Sequence, residues 1–127
     1  MKIGIFIDEA MDRKRNIKEI KAQFKKYKPI YIEDVCISDK LIGNDGFDLV
    51  IIDYGGLTLI PGDSLGECYA WYVNEYAENH PNTLFLYITV MGEQYLESEG
   101  LNLYGLHNIK WCNKEYIVDY WEKYKND

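Results

Sequence analysis

The sequence predicts a single α/β domain, a three-layer α/β/α sandwich on a five-stranded parallel sheet. Three observations carry this. Short, mostly apolar runs that barely alternate stand at residues 2–7 and 47–53, as in strands buried on both faces. Segments with apolar residues at helical spacing lie between the strand-like runs. The two kinds of segment follow one another as β-α-β-(α)-β-α-β-(α)-β-α, the order that sets helices against a parallel sheet. A chain of 127 residues suffices for one such domain. It buries roughly two-thirds of its unfolded surface and needs no disulfide or metal to hold it.

The elements follow in order. Residues 2–7 read as the first strand and residues 10–15 as a polar loop. Asn16 with Glu19 three residues later forms a helix N-cap pair. Ile17, Ile20, Phe24 and Tyr27 then mark one helical face. Lys25, Lys26 and Lys28 suit the C-terminal end of that helix dipole, and Pro29 stops it. Residues 30–35 read as the second strand. Segment 36–46, with Gly43 and Gly46, holds at most one or two helical turns. Residues 47–53 (Phe-Asp-Leu-Val-Ile-Ile-Asp) are the clearest buried strand, and residues 54–63 are a loop rich in Gly and Pro. Ser64 and Glu67 make a capping box for a helix carrying Leu65, Tyr69, Tyr72 and Tyr76, which Pro81 ends. Residues 83–91 form a fourth strand, 93–98 a short helix and 108–112 a fifth strand. Residues 114–125 are a closing helix on which Ile117, Trp121 and Tyr124 share a face. Right-handed crossovers leave the flavodoxin-like strand order 2-1-3-4-5 as the expected arrangement.

Composition narrows the function classes. The net charge of −7 is unevenly spread: residues 1–30 sum to +5, residues 31–105 to −12, and the remainder balances. The middle of the chain is therefore a poor nucleic-acid surface. No apolar run reaches the ~18 residues of a membrane span, and the N-terminal apolar stretch is too short for a signal-peptide core. Cys36, Cys68 and Cys112 are odd in number and form no Cys-x-x-Cys; free thiols in a reducing cytoplasm are the expectation. The two histidines, His80 and His107, are too isolated to suggest a metal cage. Twelve tyrosines are many for this length, although A/T-rich codon usage alone would supply them.

In parallel α/β sheets ligands gather beyond the carboxyl ends of the strands. Asp8 and Glu9 follow the first strand there, Asp53 ends the third, Thr89 ends the fourth, and Lys114 follows the fifth. Three carboxylates so placed repel one another and call for a cation; an oxygen-only set favours Mg²⁺ with retained waters. Thr89 suits a hydrogen bond to a phosphoryl oxygen, and Lys114 its neutralisation.

This set resembles the receiver domains of two-component response regulators, over nearly the whole chain in length and element order. The resemblance implies that Asp8 and Glu9 hold Mg²⁺ with Asp53, and that Asp53 is the phosphoacceptor. It implies that Thr89 and Lys114 sense the phosphoryl group. Several features depart from the family pattern: the usual second helix is nearly absent, and Lys114 falls one or two positions past the fifth strand. The first proline after Asp53 is Pro61, eight residues on, and Glu115 rather than proline follows Lys114.

Other chemistries lack their motifs. Residues 9–15 offer no Ser/Thr/Gly-rich cradle for a flavin phosphate. The glycine fingerprint of nicotinamide-nucleotide folds and the P-loop are both missing. Ala10 stands where an Asp-x-Asp pair would need its second acid, and Cys68 falls on an apolar helix face as a core residue. Lys14, Lys18, Lys21, Lys25 and Lys28 form a basic stripe about a quarter-turn from the apolar face of the first helix. It is a solvated face, or a docking strip for an acidic partner or for nucleic-acid phosphates, without the interleaving that base readout needs. Trp71 falls off the apolar face of its helix, as an interface anchor or packed against a neighbouring loop, and Tyr116 and Tyr120 suggest a helix-face homodimer.

Two functions are expected, neither of them clearly enzymatic. One is a stand-alone receiver-like signalling domain acting by docking to a protein partner. The other is a non-enzymatic interaction module, such as a pseudo-receiver or a phage or mobile-element accessory protein, using the basic stripe or Trp71.

Overall fold

The computed structural model describes residues 1–7, 13–27, 31–34, 46–53, 73–88, 102 and 104–126. It is an α/β fold with a parallel sheet, the class expected from the alternation of apolar runs and amphipathic segments. β1 (Lys2–Ile7) pairs with β2 (Tyr31–Asp34) on one side and β3 (Leu49–Asp53) on the other. β4 (Leu84–Tyr87) joins β3, and β5 (Ile109–Trp111) lies at the far edge, so neighbours run β2-β1-β3-β4-β5. Every residue of β3 and β4 is buried. Apart from Asp53 at the end of β3, their sequences are wholly aliphatic and aromatic, as expected of strands with a neighbour on each side.

Three helices are described: α1 (Arg13–Gln23), α2 over residues 73–79, and α3 (Ile117–Asn126), which a 3₁₀ turn at Lys114–Tyr116 leads into. Pleating divides the strand side chains between two faces. On one face Ile3, Ile5, Leu49, Ile51, Leu84 and Leu86 form a single cluster with Ile20 of α1, Phe24 just after it, and Ile117 and Trp121 of α3. Phe85 points the other way, where Tyr76 of α2 meets its ring edge-on at 5.7 Å. The apolar faces read for the first and last helices are the buried ones: Ile20, Phe24, Ile117 and Trp121 lie in the core, with Ile17, Tyr27 and Tyr124 packed partly against it.

The start of α1 corrects the sequence reading. The helix begins at Arg13, so residues 13–15 belong to it rather than to a loop, and Asn16 is inside the helix and not its cap. Asn16 is buried, and its side-chain oxygen accepts from Lys114 Nζ at 3.0 Å. A tertiary partner has claimed the group that the Asn16/Glu19 spacing assigned to the backbone. β4 is also shorter than the expected 83–91: Thr83 sits in a bend and donates its hydroxyl to Phe47 O at 2.6 Å. The expected elements at 36–45 and 93–98, and the capping box at Ser64 and Glu67, lie outside the described residues. No helix among the described residues is long and apolar enough to cross a membrane.

α1 and α3 are laced together. Gln23 Nε2 donates to Lys114 O at 2.6 Å, Tyr27 Oη donates to Glu122 Oε1 at 2.8 Å, and Lys26 forms an ion pair with the same carboxylate. The Lys26 and Tyr27 donors hold the Glu122 carboxyl below its ordinary 4.5. A lowered folded value means that this contribution to stability is present above the unfolded value and is lost as pH falls through the folded one. Glu122→Gln is therefore expected to lower Tm by about 2 °C at neutral pH, an exposed pair being weak. The gap to the parent should close on acidification. Thermal melts of both proteins between about pH 3 and 7 check this, and a gap independent of pH would refute it.

Candidate functional site

The site is a consequence of strand register. All five strands run the same way, so their carboxyl ends share one edge. β3 ends at Asp53, whose backbone stands opposite Ile7, the last residue of β1. The next residues in sequence are Asp8 and Glu9. Asp53 is buried at 7% exposure and follows the pleat of Leu49 and Ile51, on the face that α1 and α3 cover.

Lys114 lies three residues beyond the end of β5, in the first position of the 3₁₀ turn. Asn113 caps this turn, its side-chain oxygen accepting from Glu115 N at 3.1 Å. β4 separates β5 from β3, so Lys114 and Asp53 leave strands about 10 Å apart. Its ammonium is directed onto α1, where it bonds Asn16 Oδ1 at 3.0 Å and pairs with Glu19 Oε2 at 2.8 Å. The hydrogen bond from Lys114 is the main reason that the Glu19 carboxyl lies below its ordinary value. Arg15, one turn earlier, adds a second contact to Glu19 at 3.2 Å. The helix axis runs back against the strands, which brings the first turns of α1 to the same end of the sheet as Asp53.

Of the candidate chemical residues, Asp53 and Lys114 are therefore described, while Asp8, Glu9 and Thr89 lie outside the described residues. Among the described residues no three His, Cys, Asp or Glu side chains gather closely enough to hold a metal ion. Sequence reasoning missed Asn16 and Glu19 as the partners of Lys114. The signal available was a polar residue spaced to fall on the buried side of a helix, next to Ile17 and Ile20.

Of the interface candidates, Lys14, Lys18, Lys21 and Lys25 are all exposed on α1 and the turn after it. Trp71 and Lys28 lie outside the described residues. Tyr116 and Tyr120 are exposed at 52% and 39%. Cys112 is fully buried, and desolvation pushes its thiol up to about 12, so it stays protonated and inert at neutral pH. Comparison with models of known protein families returns no match, and comparison with curated proteins returns none either.

Proposed function

We propose that the chain is a receiver-like signalling domain of flavodoxin-like, three-layer architecture, whose phosphoacceptor is Asp53. The observation that carries this reading is the position of Asp53: a buried carboxylate on the last residue of a central strand, in register with the end of β1. Its hard oxygens suit Mg²⁺, which Asp8, Glu9 and Asp53 would hold. The metal, when bound, supplies positive charge against the crowded carboxylates and the incoming phosphoryl oxygens. Asp53 attacks the phosphorus of a donor phosphoryl group, the bond to the donor breaks, and an aspartyl phosphate remains. Thr89 donates a hydrogen bond to that group. Lys114 exchanges its exposed, weakly held Glu19 partner for a phosphoryl oxygen. Loss of the Lys114 contacts to Asn16 and Glu19 then loosens the hold of β5 on α1, and a protein partner docks to the altered surface.

The test is a titration of ¹⁵N-labelled protein with Mg²⁺ and then beryllofluoride, a phosphoryl mimic. Expected are saturable shifts at Asp53, Lys114, Asn16 and Glu19, all abolished in Asp53→Asn. Silence at these residues would sink the proposal. It would leave standing the second reading, a non-enzymatic pseudo-receiver or accessory module, which the exposed lysines of α1 favour.

A further inference from the structure

A second site lies at the other end of the sheet. Pro81 and Asn82 precede β4, and His107 precedes β5. Trp121, Tyr124 and Lys125 come from the later turns of α3, which runs back toward the amino ends of the strands. With Lys110 of β5 these residues line an open cavity of about 530 Å³. Strand and helix direction thus separate this cavity from Asp53 by the length of the sheet.

Its walls are aromatic, and the charged residues among the described lining are both lysines. The Tyr124 ring lies 6.2 Å from His107 at 20° and 6.5 Å from Trp121 at 31°, so three ring systems follow one another along one side. Tyr124 Oη donates to Pro81 O at 2.7 Å, which fixes the middle ring against the turn before β4. Lys110 and Lys125 are both exposed, and among the described residues no carboxylate lines the cavity and neither lysine has a carboxylate partner. Lys110 stands on β5, the edge strand of the described sheet. The Trp121 indole is 6% exposed, yet its N–H has no hydrogen-bond partner among the described residues. A buried donor without a partner is uncommon in a native interior and marks a wall with unused hydrogen-bonding capacity.

We propose that this cavity binds an aromatic ring carrying an oxyanion, with the ring laid against Tyr124, His107 and Trp121 and the anion held by Lys110 and Lys125. Flat rings stack on aromatic walls, and a carboxylate or phosphate is the group that two unpaired ammoniums recognise. The volume falls within the ordinary range for small-molecule sites. Such a ring with its oxyanion occurs in nucleoside monophosphates and in aromatic carboxylates. The proposal is independent of phosphorylation at Asp53.

The experiment uses ¹⁵N-labelled full-length chain titrated separately with 5′-AMP, 4-hydroxybenzoate, adenosine and inorganic phosphate. The Trp121 side-chain N–H resonance and the Lys110 and Lys125 amides are the readouts. Expected are saturable shifts with 5′-AMP, with 4-hydroxybenzoate, or with both, and binding of adenosine and phosphate at least roughly tenfold weaker. A response to 5′-AMP alone assigns a nucleotide ligand, and a response to 4-hydroxybenzoate alone an aromatic acid. Lys110→Gln with Lys125→Gln should weaken binding roughly tenfold or more and leave the melting temperature in place, both side chains being exposed. The proposal is overturned by an unresponsive Trp121 resonance at millimolar probe. It is equally overturned if adenosine or phosphate alone binds as tightly as the tighter-binding of 5′-AMP and 4-hydroxybenzoate.

Discussion

Phe85→Ala is expected to destabilise the fold by about 4 kcal/mol, a large part of what a domain of this size has. Phe85 is fully buried in β4, paired through its backbone with Val50 on one side and Ile109 on the other. Its ring is met edge-on by Tyr76, and Tyr76 in turn stacks on His80 at 4.0 Å and 10°. His80 Nδ1 lies 2.9 Å from Tyr76 O, which holds the stack to the end of α2. Deleting the Phe85 ring leaves a hole whose walls are a hydrogen-bonded sheet and a tethered aromatic pair. Neither wall can move in cheaply, so the cavity term is added to the lost transfer energy. Phe85→Leu should recover most of the loss, to within about 1.5 kcal/mol of the parent. Urea unfolding of the three proteins measures this; a loss under about 2 kcal/mol for the alanine variant would mean that Tyr76 collapses into the space.

Asn108→Ala is expected to cost about 3 kcal/mol and roughly 10 °C in Tm. Asn108 is 1% exposed, and its amide nitrogen reaches three carbonyls: Ala77 at 2.9 Å, Thr83 at 3.0 Å and His80 at 3.1 Å. The amide has two hydrogens for three acceptors, so one hydrogen is shared. Those carbonyls line the end of α2 and the turn into β4, where a helix leaves its last C=O groups without intrahelical donors. One side chain from the start of β5 therefore caps α2 and aligns the neighbouring strand. Asn108→Asp should be worse than alanine at neutral pH, because it points a carboxylate at carbonyl oxygens. Its deficit should shrink in acid, as the protonated form regains one donor. Melts of both variants at neutral and acidic pH check the ordering; an aspartate variant as stable as the alanine one at pH 7 would refute it.

The fold class was legible because it depends on local pattern. Leu49–Asp53 reads as a buried strand without knowledge of its neighbours, and Ile20, Phe24, Ile117 and Trp121 mark the covered helix faces by spacing alone. What failed was wherever a distant residue takes over a local group. Asn16 looks like a cap because Glu19 stands three residues on, but both side chains serve Lys114, nearly a hundred residues later. The strand read at 47–53 begins two residues later, at Leu49, and side chains join the backbone bonds before it: Phe47 O accepts from the Thr83 hydroxyl and the Asp48 side chain from Lys2 N at 2.8 Å, while Asp48 N donates to Lys2 O and Asp48 O accepts from Leu84 N. Of the candidate site, the placement of Asp53 followed from the strand pattern, whereas the Lys114 contacts did not. The aromatic cavity was invisible in sequence, because residues 81 and 125 meet only through the sheet.

The lacing of α1 to α3 also bears on how the chain is made. The first helix leaves the ribosome early, but most of what holds it arrives late: Lys114 for Asn16, Glu19 and Gln23, Glu122 for Lys26 and Tyr27, and Ile117 and Trp121 for the shared core. Its own sequence carries no acidic residue in the first turn to favour an isolated helix. During synthesis Ile20 and Phe24 therefore have only the early part of their core, Ile3, Ile5, Leu49 and Ile51, to pack against until Leu84, Leu86, Ile117 and Trp121 have emerged. Folding of this domain is closer to a single late event than to growth from the N-terminus, and the interval before it is when chaperone contact matters most.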